Sequence, residues 1–437
     1  ATAPITALHF HQASWGGLLG NVVVLPLLEL AVLPLGLLGV LVGQVAPSLG
    51  GGLVDVAIAL SGWADDVVGA IAEVAPSLRV APPGSVELLA AALVWAIAVA
   101  WRRRLLPGRR AAGLVVASAS LLVGARVAAT LAARGSSELR VTFLDVGQGD
   151  AAVIELPGGA AWLVDAGGAP ISGGAEVSLA ERRRAGERPG AESLLRFLEA
   201  RHIDRLDLVV ISHLHPDHVL GLGPIVRAMP VAELWLADAP TRGRGDEPAP
   251  LDAAMAEVLA EAAAHGARIV HPPLGVARET AGVRLTVLAP RYQREEVVSA
   301  AELAPGLLAA ADPVRSVNDN SLVVAIDRAG RRVLFAGDLE AEGEDALVET
   351  TDDGALTAEV VKVPHHGSPT SSTAPFVAAV APRWAVISCG LANRFGFPST
   401  AVVDRWQGNG AAVLFRNKPS EELRRGPGQL RDGQAEQ

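Results

Sequence analysis

The chain has 437 residues, of which 50% are hydrophobic and 19% charged, and its formal net charge is −10. At about 150 residues per domain, this length predicts two or three structural units. The negative charge argues against a protein that coats nucleic acid through a broadly basic surface. The single cysteine, Cys389, excludes an intrachain disulfide and a paired-cysteine zinc site. Glu29 is the only charged residue before Asp55, and this uneven distribution excludes a simple cytosolic enzyme.

The first third of the chain predicts a membrane domain. Residues 15–45 form a stretch long enough for the ~30 Å hydrocarbon core, although two prolines interrupt it. Residues 86–101 and 111–133 are two further candidate spans, whereas the more acidic residues 53–74 predict an amphipathic helix at the membrane surface. Buried helices of a soluble protein are the alternative. We expect residues 1–135 to be the C-terminal part of a multi-pass membrane domain.

A basic loop predicts the orientation of these spans. Positively charged loops stay in the cytoplasm, so the last span leads outward. This predicts a cytoplasmic (inner) membrane protein whose remaining chain lies on the extracytoplasmic side. The loop carries Arg102, Arg103, Arg104, Arg109 and Arg110.

Residues 139–418 predict a layered α/β domain, because short β-branched runs alternate there with helical stretches. Residues 169–190 are interpreted as a linker, and residues 419–437 as a disordered tail. The predicted strands cover residues 140–144, 152–156, 161–164, 208–211, 234–236, 268–270, 283–288, 322–326, 333–335, 360–363 and 385–387, and the predicted helices residues 191–200, 251–265 and 374–380.

The sharpest motif is a histidine cluster directly after the predicted strand 208–211. It contains His213, His215, Asp217 and His218. Imidazole nitrogens and carboxylate oxygens are ligands that suit zinc, manganese or iron. In a tight turn after a rigid strand, His213 and His215 can share one ion while Asp217 and His218 serve a neighbouring one. A solvated histidine-rich turn is the alternative.

Two later strand ends carry complementary ligands. Asp338 follows the predicted strand 333–335 and is placed to bridge two ions, whereas His365 and His366 follow the strand 360–363. Alone, a carboxylate after a strand is usually a turn residue or a helix cap. Together, the three strand ends predict a metal centre.

These motifs resemble those of the metallo-β-lactamase superfamily and, more specifically, the C-terminal domain of the ComEC family of DNA-internalisation competence proteins. The likeness covers about residues 140–415, and weaker motifs upstream resemble the end of the family's membrane domain. It implies that the family's N-terminal membrane and OB-like segments precede this sequence in a longer polypeptide. The stretches that carry it, besides the histidine cluster, are FLDVGQGDA at 143–151, DAG at 165–167, NDNSL at 318–322, VPHHGS at 363–368 and NRFGFP at 393–398.

The resemblance implies an α/β fold, an αββα sandwich preceded by transmembrane helices, with two divalent metal ions (zinc or manganese) between the sheets. On this basis His213 and His215 would bind one ion, and Asp217, His218 and His365 the other. Asp338 would bridge the two ions, and Asp217 and Asp338 are the expected catalytic residues. His366 competes with His365 for its role, and the sequence does not separate them. Residues expected to support the ligands or contact substrate are Asp150, Asp165, Asn320, Ser321, His366, Ser368 and Asn393.

Three departures from the family pattern concern activity more than fold. Only His265 and His271 lie in the interval where relatives often place a third histidine for the first ion. Leu220 stands where relatives tend to carry glycine, and Phe397 where they often carry histidine. We therefore expect a weaker first metal site.

The resemblance implies a membrane-bound competence protein for DNA uptake in transformation, with a metal-dependent phosphodiester hydrolase (nuclease) domain that degrades one strand. Two alternatives remain open: a catalytically degenerate domain that guides DNA into the channel, and a hydrolase of small phosphoesters. The implied partners are DNA, single-stranded or being converted to it, membrane lipid, other proteins of the competence machinery, and the remaining N-terminal part of the same polypeptide.

Overall fold

The structure is a computed structural model, which describes residues 12–13, 15–75, 78–79, 84–169, 178–237, 253–290, 296–297, 315–391 and 393–415. The chain divides into two compact units, Ala1–Val127 and Ala128–Gln437. The boundary falls within the helix Gly108–Arg134, eleven residues before residue 139, the predicted start of the second domain. The predicted disordered tail, residues 419–437, lies outside the described residues.

The first unit is helical. The predicted span at residues 15–45 is a nearly continuous helix, because a π-helical turn at Leu28–Val32 joins α1 to α2. The turn begins two residues after Pro26, whose missing amide donor disturbs the regular hydrogen-bond ladder. The helices are α1 (Trp15–Leu27), α2 (Leu33–Gly43), α3 (Pro47–Val74), α4 (Ser85–Arg102) and α5 (Gly108–Arg134).

Within the described residues, two stretches are long and apolar enough to cross a membrane, Leu19–Gly43 and Ser85–Arg102. The third predicted span lies in α5, which does not meet the same criterion. Helices α2 and α3 approach closely where a side chain on Gly50 would overlap the Gly43 backbone. Close contact through glycine is typical of helices that pack in a membrane.

The second unit contains two seven-stranded mixed sheets. The first sheet has the order β9-β6-β5-β4-β3-β2-β1 and the second β14-β13-β12-β11-β10-β8-β7. In the first, β3 to β6 are parallel; in the second, β11 to β14 are parallel. The strands are β1 (Arg140–Phe143), β2 (Ala151–Glu155), β3 (Ala161–Ala166), β4 (Leu208–Ile211), β5 (Glu233–Leu236), β6 (Arg268–His271), β7 (Ala277–Thr280), β8 (Val283–Ala289), β9 (Glu296–Val297), β10 (Val323–Arg328), β11 (Arg331–Phe335), β12 (Val360–Lys362), β13 (Trp384–Ile387) and β14 (Ala412–Phe415).

Three apolar cores hold four layers together. In β4, Leu208 and Val210 pack between the two sheets, whereas Val209 and Ile211 face the helices outside the first sheet. A third core joins the second sheet to its own outer helices. Strands buried on both faces explain the near-continuous apolar runs of the sequence, and the four layers confirm the expected αββα sandwich. The outer helices are α6 (Leu179–Ala200), α7 (Pro216–Val219), α8 (Leu222–Ala228) and α9 (Ala253–Ala264) over the first sheet, and α10 (Ala341–Thr350), α11 (Ala374–Val380) and α12 (Thr400–Gly408) over the second.

The interpretation of residues 169–190 as a linker was wrong for its second half. Helix α6 begins at Leu179, because Ser178 Oγ accepts the Glu181 N–H and the Glu181 carboxylate accepts the Ser178 N–H. This reciprocal capping box is a strong helix start. Gly186 and Gly190 both lie inside α6.

Candidate metal centre

The candidate site is assembled from strand ends of both sheets. The histidine cluster leaves the end of β4, Asp338 follows β11, and His365 and His366 lie in the turn after β12. Because these strands are parallel to their neighbours, their carboxyl ends meet at one edge, where α/β sheets bind ligands. Asp150 comes from the loop before β2. The site therefore depends on the packing of the two sheets against each other.

Four buried side chains form what we call the central group: Asp150, His218, Asp338 and His366. Their potential ligand atoms all lie within 4.8 Å of one another. Asp338 Oδ2 is 3.4 Å from His218 Nε2 and 3.3 Å from His366 Nε2. Neither Nε2 atom has a hydrogen-bond partner among the described residues. Because unpartnered buried polar atoms are costly, and two imidazoles with two carboxylates suit a divalent ion, these residues fit a metal.

Both histidines of the central group have a partner for the ring nitrogen that faces away from Asp338. His218 Nδ1 lies 3.1 Å from Asp165 Oδ2, and His366 Nδ1 lies 2.9 Å from the Ser388 carbonyl oxygen. A carboxylate or carbonyl at Nδ1 favours a proton there and turns Nε2 inward, as in many metal sites. Asp165 also accepts the backbone N–H of Ser212 at 2.7 Å. Asp165 therefore contacts both the His218 ring and the backbone at the start of the histidine cluster.

The rest of the histidine cluster borders the central group. His213 Nε2 is 4.0 Å from Asp338 Oδ2 and 3.0 Å from His215 Nδ1. Asp217 Oδ2 is 3.4 Å from His366 Nε2. In the part of the chain that the structure describes, the central group is the only set of three or more potential ligands with this spacing. His213, His215 and Asp217 adjoin it without forming a second set.

The two histidines in the turn after β12 lie in different surroundings. His366 is buried and belongs to the central group, whereas His365 points its Nδ1 at Glu340 Oε1, 3.1 Å away, and remains 20% exposed. Both residues have left-handed backbone conformations, with φ of 47° and 54°. This strained turn aims the second histidine inward and the first toward the surface.

Lys362 is a residue of the site that the sequence reasoning missed. Its ammonium group is buried, ion-pairs with Asp150, and lies 3.2 Å from Asp338 Oδ1 and 3.0 Å from the Gly337 carbonyl oxygen. The signal was present in the composition, because only two of the 37 basic residues are lysine. A lysine inside an apolar strand of an arginine-rich chain is an exception that calls for a specific partner.

The carboxylates control the protonation of the site. Burial would lower the pKa of His366, but Asp338 and Asp150 outweigh it and raise the pKa to about 10. The same competition raises the pKa of His218 above its ordinary value. Burial dominates at His213 and lowers the pKa of that ring, which keeps it neutral. The site thus carries a negative field that favours cations, whether protons or a metal ion.

Four further residues named from the sequence support the backbone around the site. Ser321 Oγ accepts the Asp338 N–H at 3.1 Å, and Asn320 Nδ2 donates to the Ser316 carbonyl oxygen at 3.0 Å. Ser368 Oγ lies 2.9 Å from the Thr370 hydroxyl. Asn393 bonds the backbone of its own loop four times.

The three departures from the family pattern have distinct structural outcomes. His265 bonds the Glu261 carbonyl oxygen in α9, and His271, in β6, bonds the Leu236 carbonyl oxygen in the neighbouring strand β5. Neither belongs to the central group. Leu220 is fully buried in the apolar core outside the first sheet, so it contributes packing at that position. Phe397 lies against His365, with ring centroids 5.6 Å apart.

Two protein families match different parts of the chain. Residues 144–390 match the model of the metallo-beta-lactamase superfamily, and residues 1–105 match that of the competence protein family. ComE operon protein 3 of Bacillus subtilis is 27% identical over 94% of this chain and 48% of its own length. Competence protein ComA of Neisseria gonorrhoeae is 38% identical over 23% of this chain and 15% of its own. The chain therefore spans less than half the length of these relatives.

Among solved structures, the metallo-beta-lactamase fold protein YhfI from Bacillus subtilis covers 63% of this chain and 95% of its own, with 14% identity and a TM-score of 0.34. The two matched family models stand in the order expected for a ComEC-type protein, and together they confirm that resemblance.

Proposed function

The chain belongs to the metallo-beta-lactamase superfamily, and we propose that it is a membrane-anchored, metal-dependent hydrolase of DNA phosphodiesters that acts during DNA uptake. The observation that carries the proposal is the central group, in which two buried Nε2 atoms without hydrogen-bond partners among the described residues converge on Asp338. The match to the competence protein family supports DNA and the competence machinery as partners.

One divalent ion would be held by Asp150, His218, Asp338 and His366. A second would lie on the His213 and His215 side of Asp338, with zinc or manganese as the candidates. When bound, such ions lower the pKa of a water molecule and neutralise charge that builds up on phosphoryl oxygens. In this proposal His366 replaces His365 as the late histidine ligand.

The chain's own residues would supply positioning and proton transfer. Burial would raise the pKa of Asp217, but the His366 ring 3.4 Å away and the nearby His218 lower it. Asp217 therefore stays a carboxylate, which suits it to accept a hydrogen bond from the attacking water and orient it. His365, partly exposed and paired with Glu340, is placed to pass a proton to the leaving oxygen.

The membrane anchor would be the helical unit. Leu19–Gly43 and Ser85–Arg102 have the length and apolar composition for it, and the arginines that follow α4 favour an extracytoplasmic hydrolase domain. Reporter fusions at the end of α5 test this orientation. Activity from a fused reporter that functions only in the cytoplasm would contradict the extracytoplasmic orientation.

The decisive experiment measures metal content and DNA cleavage on the same preparations of the whole chain. We expect bound manganese or zinc and cleavage of labelled single-stranded DNA, and both should be lost in Asp338→Ala. Asp327→Ala is the matched control, because Asp327 lies on β10 and pairs with Arg332. Unchanged metal content in Asp338→Ala would overturn the proposal, whereas turnover of a small chromogenic diester but not DNA would identify the small-phosphoester alternative.

One observation favours a domain that guides DNA without cutting it. Lys362 already places a positive charge between Asp150 and Asp338, and an ammonium at this place competes with a metal ion for the same carboxylates. Binding of DNA with no metal-dependent cleavage, unaffected by His215→Ala, is the outcome that this alternative requires.

A further inference from the structure

A row of stacked side chains, which we call the aromatic ladder, leads from the surface to the candidate metal centre. Its members are Arg394, Phe395, Phe397 and His365. The Arg394 guanidinium lies 4.9 Å from the Phe395 ring centroid, Phe395 and Phe397 are stacked at 5.4 Å with planes 18° apart, and Phe397 contacts the His365 ring edge-on at 5.6 Å. His365 is the neighbour of His366 in the central group.

The ladder is held in place by one side chain. Asn393 Nδ2 donates to the carbonyl oxygens of Gly390 and Phe397, at 2.9 and 2.8 Å. Its Oδ1 accepts the backbone N–H groups of Phe395 and Phe397, at 3.1 and 3.0 Å. With all these bonds directed at its own loop, Asn393 fixes the two rings before any ligand arrives, which lowers the ordering cost of binding.

The outer end of the ladder is open to solvent. Phe395 is 48% exposed although a phenylalanine gains by burial, and Arg394 beside it is exposed as well. At the inner end, Phe397 packs against the core of the second sheet. The ladder is therefore anchored at one end and presents an aromatic face with a guanidinium at the other.

We propose that the exposed end of the aromatic ladder, Phe395 with Arg394, stacks an unpaired nucleobase of single-stranded DNA next to the candidate metal centre. Flat aromatic faces joined to a guanidinium are what unpaired bases and their phosphates bind. A chain with a net charge of −10 offers no general attraction to DNA, so local stacking and the Arg394 charge have to supply it. The inference rests on the proposed function for the identity of its substrate.

The test is equilibrium binding of a fluorescent oligothymidylate to the whole chain in detergent, with a metal chelator present so that no cleavage occurs. Phe395→Ala should weaken binding by about 5- to 10-fold, the lower part of the range for one stacked base, because half of the ring is already covered. Phe395→Trp should restore it. Leu274→Ala, which removes an exposed apolar side chain outside the ladder, should stay within twofold.

Two DNA variants make the interpretation specific. An oligonucleotide with abasic positions should bind equally to the unsubstituted chain and to Phe395→Ala, because it offers no base to stack. A duplex of mixed sequence should likewise bind with equal affinity to the unsubstituted chain and to Phe395→Ala. Binding of the single strand that is unchanged in Phe395→Ala, or absent from the unsubstituted chain, would overturn the inference.

Different experimental results would overturn the stacking inference and the proposed hydrolase function. Metal-dependent cleavage with no effect of Phe395→Ala on binding would overturn the ladder alone. A base-dependent effect of Phe395→Ala without cleavage under any metal would overturn the hydrolase alone.

Discussion

Replacing Lys362 by methionine removes the positive charge from the centre of the site while keeping a similar volume. The Lys362 side chain is 4% exposed, and the side chains of Asp150 and Asp338 beside it are 6% and 4% exposed. Burial would lower the pKa of Lys362, but these two carboxylates raise it above its ordinary value. The lysine therefore stays charged at neutral pH.

The expected cost of Lys362→Met follows from this burial. Removing one member of a buried ion pair leaves an uncompensated charge, which costs about 3–5 kcal/mol. Here two carboxylates and the Gly337 carbonyl oxygen lose their partner, so we expect the upper part of that range. Against a total stability of about 5–15 kcal/mol for a domain, this is a large fraction.

A divalent ion should compensate for the lost lysine. With one positive charge removed from beside Asp150 and Asp338, the carboxylates attract a dication more strongly, and Mn²⁺ affinity should rise by at least about tenfold. Saturating Mn²⁺ should then raise the unfolding temperature of Lys362→Met by more than that of the unsubstituted chain.

Hydrogen exchange of the β12 amides measures the stability of the site in the whole chain, and calorimetric titration measures Mn²⁺ affinity. Arg205→Met is the matched control, because Arg205 is 60% exposed and pairs with Asp207 at the surface, where an ion pair contributes about 0–1 kcal/mol. Lys362→Met with normal exchange and weaker Mn²⁺ binding would refute the reasoning.

The remaining predictions concern the metal ligand, a buried acid and a close backbone approach. His366→Ala should remove bound metal by elemental analysis while His365→Ala retains it; equal loss in both would contradict the assignment. Burial raises the pKa of Glu344 from its ordinary 4.5 to about 7. The folded chain therefore keeps a proton there that the unfolded chain releases, so stability should fall by roughly 3 kcal/mol as pH rises from about 4.5 to 7 and level off above. Thermal unfolding of Glu344→Gln across this range should lack that slope, and an unchanged slope would exclude Glu344 as its source. A side chain at Gly149 would overlap a carbonyl oxygen of α7, so Gly149→Ala should lower both metal content and the unfolding temperature. Gly158→Ala, with a positive φ but open space around it, should lower the unfolding temperature alone, and metal loss in both would contradict the steric argument.

The strands were the most predictable part of the fold. Leu208–Ile211 was predicted with its observed bounds, because four apolar residues ending at a polar turn leave little choice. The short edge strands were missed. Ala277–Thr280 places two adjacent charged residues between two small ones, and Ala412–Phe415 adjoins a glycine-rich turn. Such strands are defined by the neighbour they pair with, which the local sequence does not show.

The site was predictable in its residue types and less so in its geometry. The spacing of His213, His215, Asp217 and His218 identified the cluster, but no local pattern shows that His218 is the member that joins Asp338. Its ring direction is set by Asp165, 53 residues earlier in the chain. The choice of His366 over His365 likewise depends on left-handed backbone conformations that ordinary residues adopt only when the surrounding structure imposes them.

These strained conformations also bear on how the site works. Asp165, His365 and His366 all have φ between 47° and 57°, and each such residue costs on the order of 1–3 kcal/mol. Local hydrogen bonds offset this conformational strain, because the His365 N–H bonds the Gly337 carbonyl oxygen and His366 Nδ1 bonds the Ser388 carbonyl oxygen. Fixed backbone contacts of this kind orient the rings independently of any cation. A metal that binds here would therefore find its ligands already in place. The main cost of binding would be the displacement of protons from His218 and His366, and not the ordering of the turn.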